Sequence, residues 1–116
     1  MFTGCKSQPN EEVYISDFYN IHEEYKDAWG NVGKYDISLP YIHCDSKSAK
    51  KLNQTIKNEY KDLVDSLDEA KEEGYTLPYT KVSYDVYTHS NLLSLVIKEE
   101  VETEYPRYKV YHFDCL

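Results

Sequence analysis

The sequence predicts an α+β domain: one long amphipathic helix packed on one face of a mostly antiparallel sheet of about five strands, in the order β-β-α-β-β-β. Three observations carry this. Between Asp45 and Gly74, apolar residues recur every three or four positions (Ala49, Leu52, Ile56, Tyr60, Leu63, Leu67, Ala70), which places them on one helical face. On both sides of that stretch the apolar period falls to two, as expected of strands with one covered face. The connections after the helix are short, which favours antiparallel neighbours.

Taken in order, Val13 to Tyr25 alternates, with Val13, Ile15, Tyr19 and Ile21 on one face and Tyr14, Ser16, Phe18 and His22 on the other. Gly30, Asn31 and Gly33 supply a turn, and Lys34 to Ile42 alternates again through Tyr35, Ile37 and Leu39. Pro40 lacks a ladder donor and so suits an edge or a strand end. Asp45 and Ser46 can cap the helix start, Gly74 can end it in a left-handed turn, and Pro78 prevents its resumption. Lys50, Lys51, Lys57, Lys61, Asp65 and Glu69 charge its outer face, so the apolar face needs a cover. Tyr79 to Thr88 carries Val82, Tyr84 and Val86 on one side, and His89, Ser90 and Asn91 form a turn. Asn91 to Glu102 then presents Leu93, Leu95, Ile97 and Val101 on one face and reads as a central strand. After a bend at Glu104 to Pro106, Arg107 to Asp114 closes the chain as a Tyr-rich strand.

A length of 116 residues is one domain's worth, divided here into a flexible lead-in over 1–12 and a single domain over 13–116. Thirteen Lys and Arg against 21 Asp and Glu leave a net charge of -8, which repels nucleic acid and anionic lipid. No apolar run approaches the roughly 20 residues of a membrane span. The 13 tyrosines suit half-wet strands, and they equally suit a contact surface for sugar or protein.

Residues able to do chemistry are present, but not in chemical patterns. His22, His43, His89 and His112 lack metal-ligand spacing, as do Cys5, Cys44 and Cys115. Glu99, Glu100, Glu102 and Glu104 read as a solvated strand end. Ser90 and Ser94 lie near His89 without an orienting third group. No phosphate loop, nucleophile elbow or zinc-protease motif occurs. The expectation is no catalytic residue, no metal and no cofactor. Cys44 and Cys115 are expected as reduced thiols, although a bridge between them would close a loop of about 70 residues.

Two resemblances bear on function. Phe2-Thr3-Gly4-Cys5 resembles the end of a bacterial lipoprotein signal, a lipobox remnant that would make Cys5 the lipidation site. Ile37-Ser38-Leu39-Pro40, the helix with Ala49-x-x-Leu52-Asn53-x-x-Ile56, Tyr84-Asp85-Val86, Asn91-Leu92-Leu93-Ser94-Leu95 and Tyr111-His112-Phe113-Asp114 occur in that order. Together they resemble the domain of unknown function that precedes the catalytic domain in PdaC-type peptidoglycan deacetylases and recurs in RsiV-like anti-sigma factors. Where that family commonly carries a Gly-Gly-Ala-His turn, this chain has Val101 to Pro106. The deacetylase's metal ligands belong to a different domain, so none carries over. The resemblance implies a non-enzymatic, extracytoplasmic module at the cell envelope that binds or senses a cell-wall glycan or a protein. It also implies membrane attachment only through a lipid anchor, and in related proteins a following domain. The alternative is a small hydrolase or glycan-modifying enzyme.

Overall fold

The computed structural model describes residues 14–89, 92–102 and 104–115. The lead-in with Cys5, and Ser90 and Asn91 of the expected turn, lie outside them. Strands β1 (Tyr14–Lys26) and β2 (Val32–His43) form a long antiparallel hairpin. Helices α1 (Lys47–Glu59) and α2 (Lys61–Glu73) follow, and β3 (Thr80–His89), β4 (Leu92–Val101) and β5 (Arg107–Phe113) make an antiparallel meander. All five strands belong to one sheet, in the order β1-β2-β3-β4-β5.

Two parts of the expected architecture are overturned. The sheet is mixed, because β2 and β3 are adjacent and parallel. The helical segment carries the chain back along the sheet before β3 begins, and such a crossover makes the strands it joins run the same way. Short connections dictate antiparallel pairing only where they exist, within β1–β2 and from β3 to β5. The helix, in turn, is not continuous. Tyr60, at φ -101° and ψ 4°, ends α1 and begins α2. Its N–H still donates to the Ile56 carbonyl at 3.1 Å and its carbonyl accepts from Val64 N–H at 3.0 Å, so the break is a bend and not a loop. The Tyr60 ring is buried and its hydroxyl bonds Glu99 on β4. Seating that bond holds the backbone at Tyr60 out of helical geometry, and a bent rod follows a twisted sheet better than a straight one.

The core is the layer between. Ala49, Leu52 and Ile56 of α1 and Leu67 of α2 pack over Tyr35, Ile37, Leu39 and Ile42 of β2, Val82 of β3, Leu95 and Ile97 of β4, and Phe113 of β5. Each Leu- or Ile-sized chain buried here stabilises by about 2 kcal/mol. Leu63, expected in this layer, is only half-buried. Ser46 caps α1 by accepting from Ala49 N–H at 3.1 Å, and Gly74 ends α2 at φ 82°.

The β2–β3 ladder is short, with only Tyr35, Asp36 and Ile37 pairing with Thr80, Lys81 and Val82. Further along β2, Asn53 of α1 serves as the missing neighbour: it accepts from Ile42 N–H at 2.8 Å and donates to the Ile42 carbonyl at 2.9 Å. Pro40 lies in this stretch, opposite Asp17 at a bulge in β1 that leaves Phe18 without a partner, so its missing donor interrupts little.

Cys44 and Cys115 are joined by a disulfide, with their α carbons 5.8 Å apart, which corrects the expectation of reduced thiols. The chain end is brought there by hydrogen bonds that the spacing of residues did not reveal. Ser46 and Ser48 hydroxyls both donate to the Asp114 carbonyl, and Asp114 N–H donates back to Ser48 Oγ at 3.0 Å.

The β1–β2 turn is fastened to the segment after α2. Asp27 is buried, and its carboxylate accepts from Trp29 N–H and Asn31 N–H at 2.9 Å and from the Thr76 hydroxyl at 3.2 Å. Beside it Tyr35 Oη accepts from Leu77 N–H at 2.8 Å, and the phenol crosses Gly33 so closely that any Cβ there would collide with it. Trp29 is thereby held at the tip, 76% exposed. Burial pushes the Asp27 carboxyl up, but the hydrogen bonds from Asn31, Trp29 and Thr76 outweigh it and hold the group below the usual carboxylate range. A depressed folded-state pKa contributes stability that is present above the unfolded value of about 4 and lost as pH falls through the folded value. Asp27→Asn is therefore expected to lower stability at pH 7 and to reduce the acid dependence below about pH 4. Urea midpoints measured from pH 7 to pH 2 check this; parallel pH profiles for the two proteins would count against it.

Candidate functional site

A cleft of about 430 Å³ opens between the helix bend, the start of β3 and the inner side of β4 and β5. Its aliphatic lining comes from Leu63, Leu77, Pro78, Val82 and Val101, and its ionic rim from Glu59, Glu99, Arg107 and Lys109. Strand pairing sets the rim. Glu99 is the direct partner of Arg107, and Ile97 is the partner of Lys109, so both cations flank Glu99 on the face turned to the helices. The bend at Tyr60 sets Glu59 and Tyr60 against them.

Glu99 is 7% exposed and fully engaged. Its carboxylate accepts from the Tyr60 hydroxyl, from Arg107 Nη2 at 3.2 Å and from Lys109 Nζ at 3.3 Å. Lys109 also lies 3.9 Å from Glu59 and 5.0 Å from the centre of the Tyr60 ring, while the Tyr111 hydroxyl donates to Glu59. Two carboxylates thus meet two cations, and a buried charge kept in this way must be both paired and hydrogen-bonded. Burial raises the Tyr60 phenol well above its ordinary range, and the bond to Glu99 adds to this. Tyr111 is raised by burial and then by Glu59. Both phenols remain permanent donors at neutral pH, which suits holding carboxylates and does not suit proton transfer.

The reading of Glu99 as part of a solvated strand end is therefore corrected. The signal was in the alternation: Glu99 continues the series Leu93, Leu95, Ile97 on the face of β4 that points to the core. A charged residue at an inward position announces a partner. Glu102, by contrast, is exposed and accepts from Tyr79 N–H at 3.2 Å.

The histidines are dispersed. His43 bonds Ser16 at 2.6 Å and stacks on Tyr14 with ring centres 4.2 Å apart. His112 bonds Ser94 at 2.9 Å, so Ser94 pairs with His112 and not with His89. His22 bonds Asp36 through Nδ1 and lies 3.4 Å from Ser38 Oγ through Nε2. That connectivity is the one a serine nucleophile uses, but the group sits on the open face of the hairpin. The nearest depression is lined by His22, Glu24, Lys34 and Asp36 and leaves Ser38 out. Among the described residues no group of three or more His, Cys, Asp or Glu could hold a metal ion. The exposed strand tyrosines do not gather into one patch: Tyr14 lies on the hairpin, Tyr41 borders Lys50, Asn53 and Gln54 of α1, and Tyr87 and Tyr108 lie on the meander.

Set against known proteins, the chain matches no family model and no curated relative.

Proposed function

We propose that this chain is a non-enzymatic binding module on the extracytoplasmic side of a bacterial cell envelope, and that its cleft takes a protein or peptide segment with a carboxylate on an apolar body. The observation that carries this is the make-up of the cleft: an aliphatic lining under a rim where Arg107 uses one guanidinium contact to Glu99 and is otherwise 65% exposed. Its remaining donors suit a planar carboxylate. A sugar is the poorer occupant, since Tyr60, the one aromatic ring in the lining, is buried and already faces Lys109. The Cys44–Cys115 disulfide supports an oxidising compartment. The lipobox-like Cys5 and the likeness to PdaC-type modules support the envelope.

The test is a two-dimensional NMR titration with acetylated dipeptides ending in a free apolar residue, run beside chitooligosaccharides. Saturable shifts at Leu63, Thr80, Val101 and Arg107 are expected with the peptides, weakened about tenfold by Arg107→Gln, the loss of one charge-assisted contact. Shifts with the sugars alone, or at neither, would overturn the peptide reading. A small hydrolase is the second reading, favoured by the contact of His22 with both Ser38 and Asp36. Covalent labelling of Ser38 by a fluorophosphonate, abolished in His22→Ala, would establish it over the binding module.

A further inference from the structure

The two edges of the sheet are built differently. β1 carries a bulge at Asp17 and a row of charges, Asp17, Glu23, Glu24 and Lys26, which are devices that discourage edge pairing. β5 lacks the bulge and the carboxylates: it is seven residues without proline, its two charges, Arg107 and Lys109, are drawn to the inner face by Glu99 and Glu59, and among the described residues no strand pairs with its outer side. An unpaired edge whose charges are engaged within its own domain is a template for another strand. The identity of that strand can be read from its own sequence, Arg107-Tyr108-Lys109-Val110-Tyr111-His112-Phe113.

We propose that β5 pairs with β5 of a second copy, antiparallel about Val110, to give a closed two-fold dimer with a continuous ten-stranded sheet. In this register Val110 meets its own copy, Tyr108 meets His112, and Lys109 meets Tyr111. Val110 and Tyr108 are 55% and 61% exposed in the monomer and alternate to the outer face, so their contact removes apolar surface from water. On the inner face Tyr111 is bonded to Glu59, so each Lys109 faces the other copy's Tyr111–Glu59 pair and charges of opposite sign meet twice. Moving the axis to Lys109 would set two ammonium groups directly opposite, which the Val110 register avoids. The basic edge of β5 could also meet the acidic edge of β1, but that contact is heterologous and would run on into a filament. The β1 bulge opposes it. The dimer sets the two clefts on the same face, each with its Lys109 beside the shared edge.

Sedimentation velocity over protein concentrations from about 1 to about 500 µM, a range that spans weak to moderate association, reads the outcome. The weight-average mass is expected to rise from the 13.7 kDa monomer toward twice that value and stop. Val110→Lys, on an exposed position whose substitution spares the core, is expected to weaken association at least tenfold. Amide exchange supplies a second measure: in the wild type, protection along β5 should rise with concentration. A monomer at all concentrations, a dimer unaffected by Val110→Lys with unchanged β5 exchange, or growth past two copies would each overturn the proposal.

Discussion

Replacing Cys44 and Cys115 by serine is expected to cost about 4 kcal/mol of folding stability, the loop-closure entropy that a cross-link of this span removes from the unfolded chain. The two residues are 71 apart in sequence, so both helices and strands β3 to β5 lie inside the loop, with the β1–β2 hairpin outside it. The folded state should change little. Ser46 and Ser48 still hold Asp114 by hydrogen bonds, and the strand β5 that delivers Cys115 is paired along its length with β4. The effect therefore resides in the unfolded ensemble, and it is large beside the 5 to 15 kcal/mol of a typical domain, of which roughly a quarter to four fifths would be lost. Urea titration with and without a phosphine reductant measures it. The wild type should lose stability on reduction and the double variant should not respond. Equal midpoints for the reduced and oxidised wild type would show that the bridge either is not formed or constrains nothing.

Periodicity located the strand-forming segments and the helical stripe because it reports which face of an element is covered. It does not report which element does the covering, and the main corrections arise there. The direction of β3 beside β2 depends on where the helical crossover sets the chain down, which no local pattern records. The bend at Tyr60 is equally silent: Tyr60 fits the apolar stripe, and its departure from helical dihedrals comes from a partner 39 positions away. Cys115 reaches Cys44 through hydrogen bonds to the Asp114 backbone, and a backbone group carries no residue-specific signal.

The candidate site was partly legible. Glu99 stands in register with Leu95 and Ile97, and a reading that followed the alternation to its end would have put a carboxylate inside the domain. Composition pulled the other way, since Glu100, Glu102 and Glu104 surround it and suggest a wet strand end. Its cations were also in view as alternate residues of β5, Arg107 and Lys109, but their meeting with Glu99 depends on the β4–β5 register. Glu59 and Tyr60 come from the helix bend and join the site only in three dimensions.

Glu99→Ala is expected to destabilise the domain by about 3 kcal/mol, the cost of breaking a buried ion pair from one side. The magnitude divides unevenly. Arg107 is largely solvated, so losing its partner matters little. Lys109 keeps Glu59 at 3.9 Å, a weaker contact than the one it loses, and the Tyr60 hydroxyl is left buried with no acceptor. Glu99→Gln retains an acceptor for Tyr60 and should cost less, about 1 to 2 kcal/mol. A double-mutant cycle of Glu99→Ala with Tyr60→Phe separates these parts, and a coupling of about 1 kcal/mol or more is expected between residues in direct hydrogen-bond contact. The pH dependence supplies an independent mark. Because burial and the bond to Glu99 raise the Tyr60 phenol, the folded state holds that proton more tightly than the unfolded chain. The stabilisation is complete below the unfolded value of about 10 and is lost as pH climbs above it. Wild-type stability should therefore fall as pH rises above about 10, and Tyr60→Phe, which removes the phenol that holds the extra proton, should fall less steeply. An additive double mutant together with unchanged alkaline slopes would mean that Glu99 and Tyr60 are neighbours without being partners.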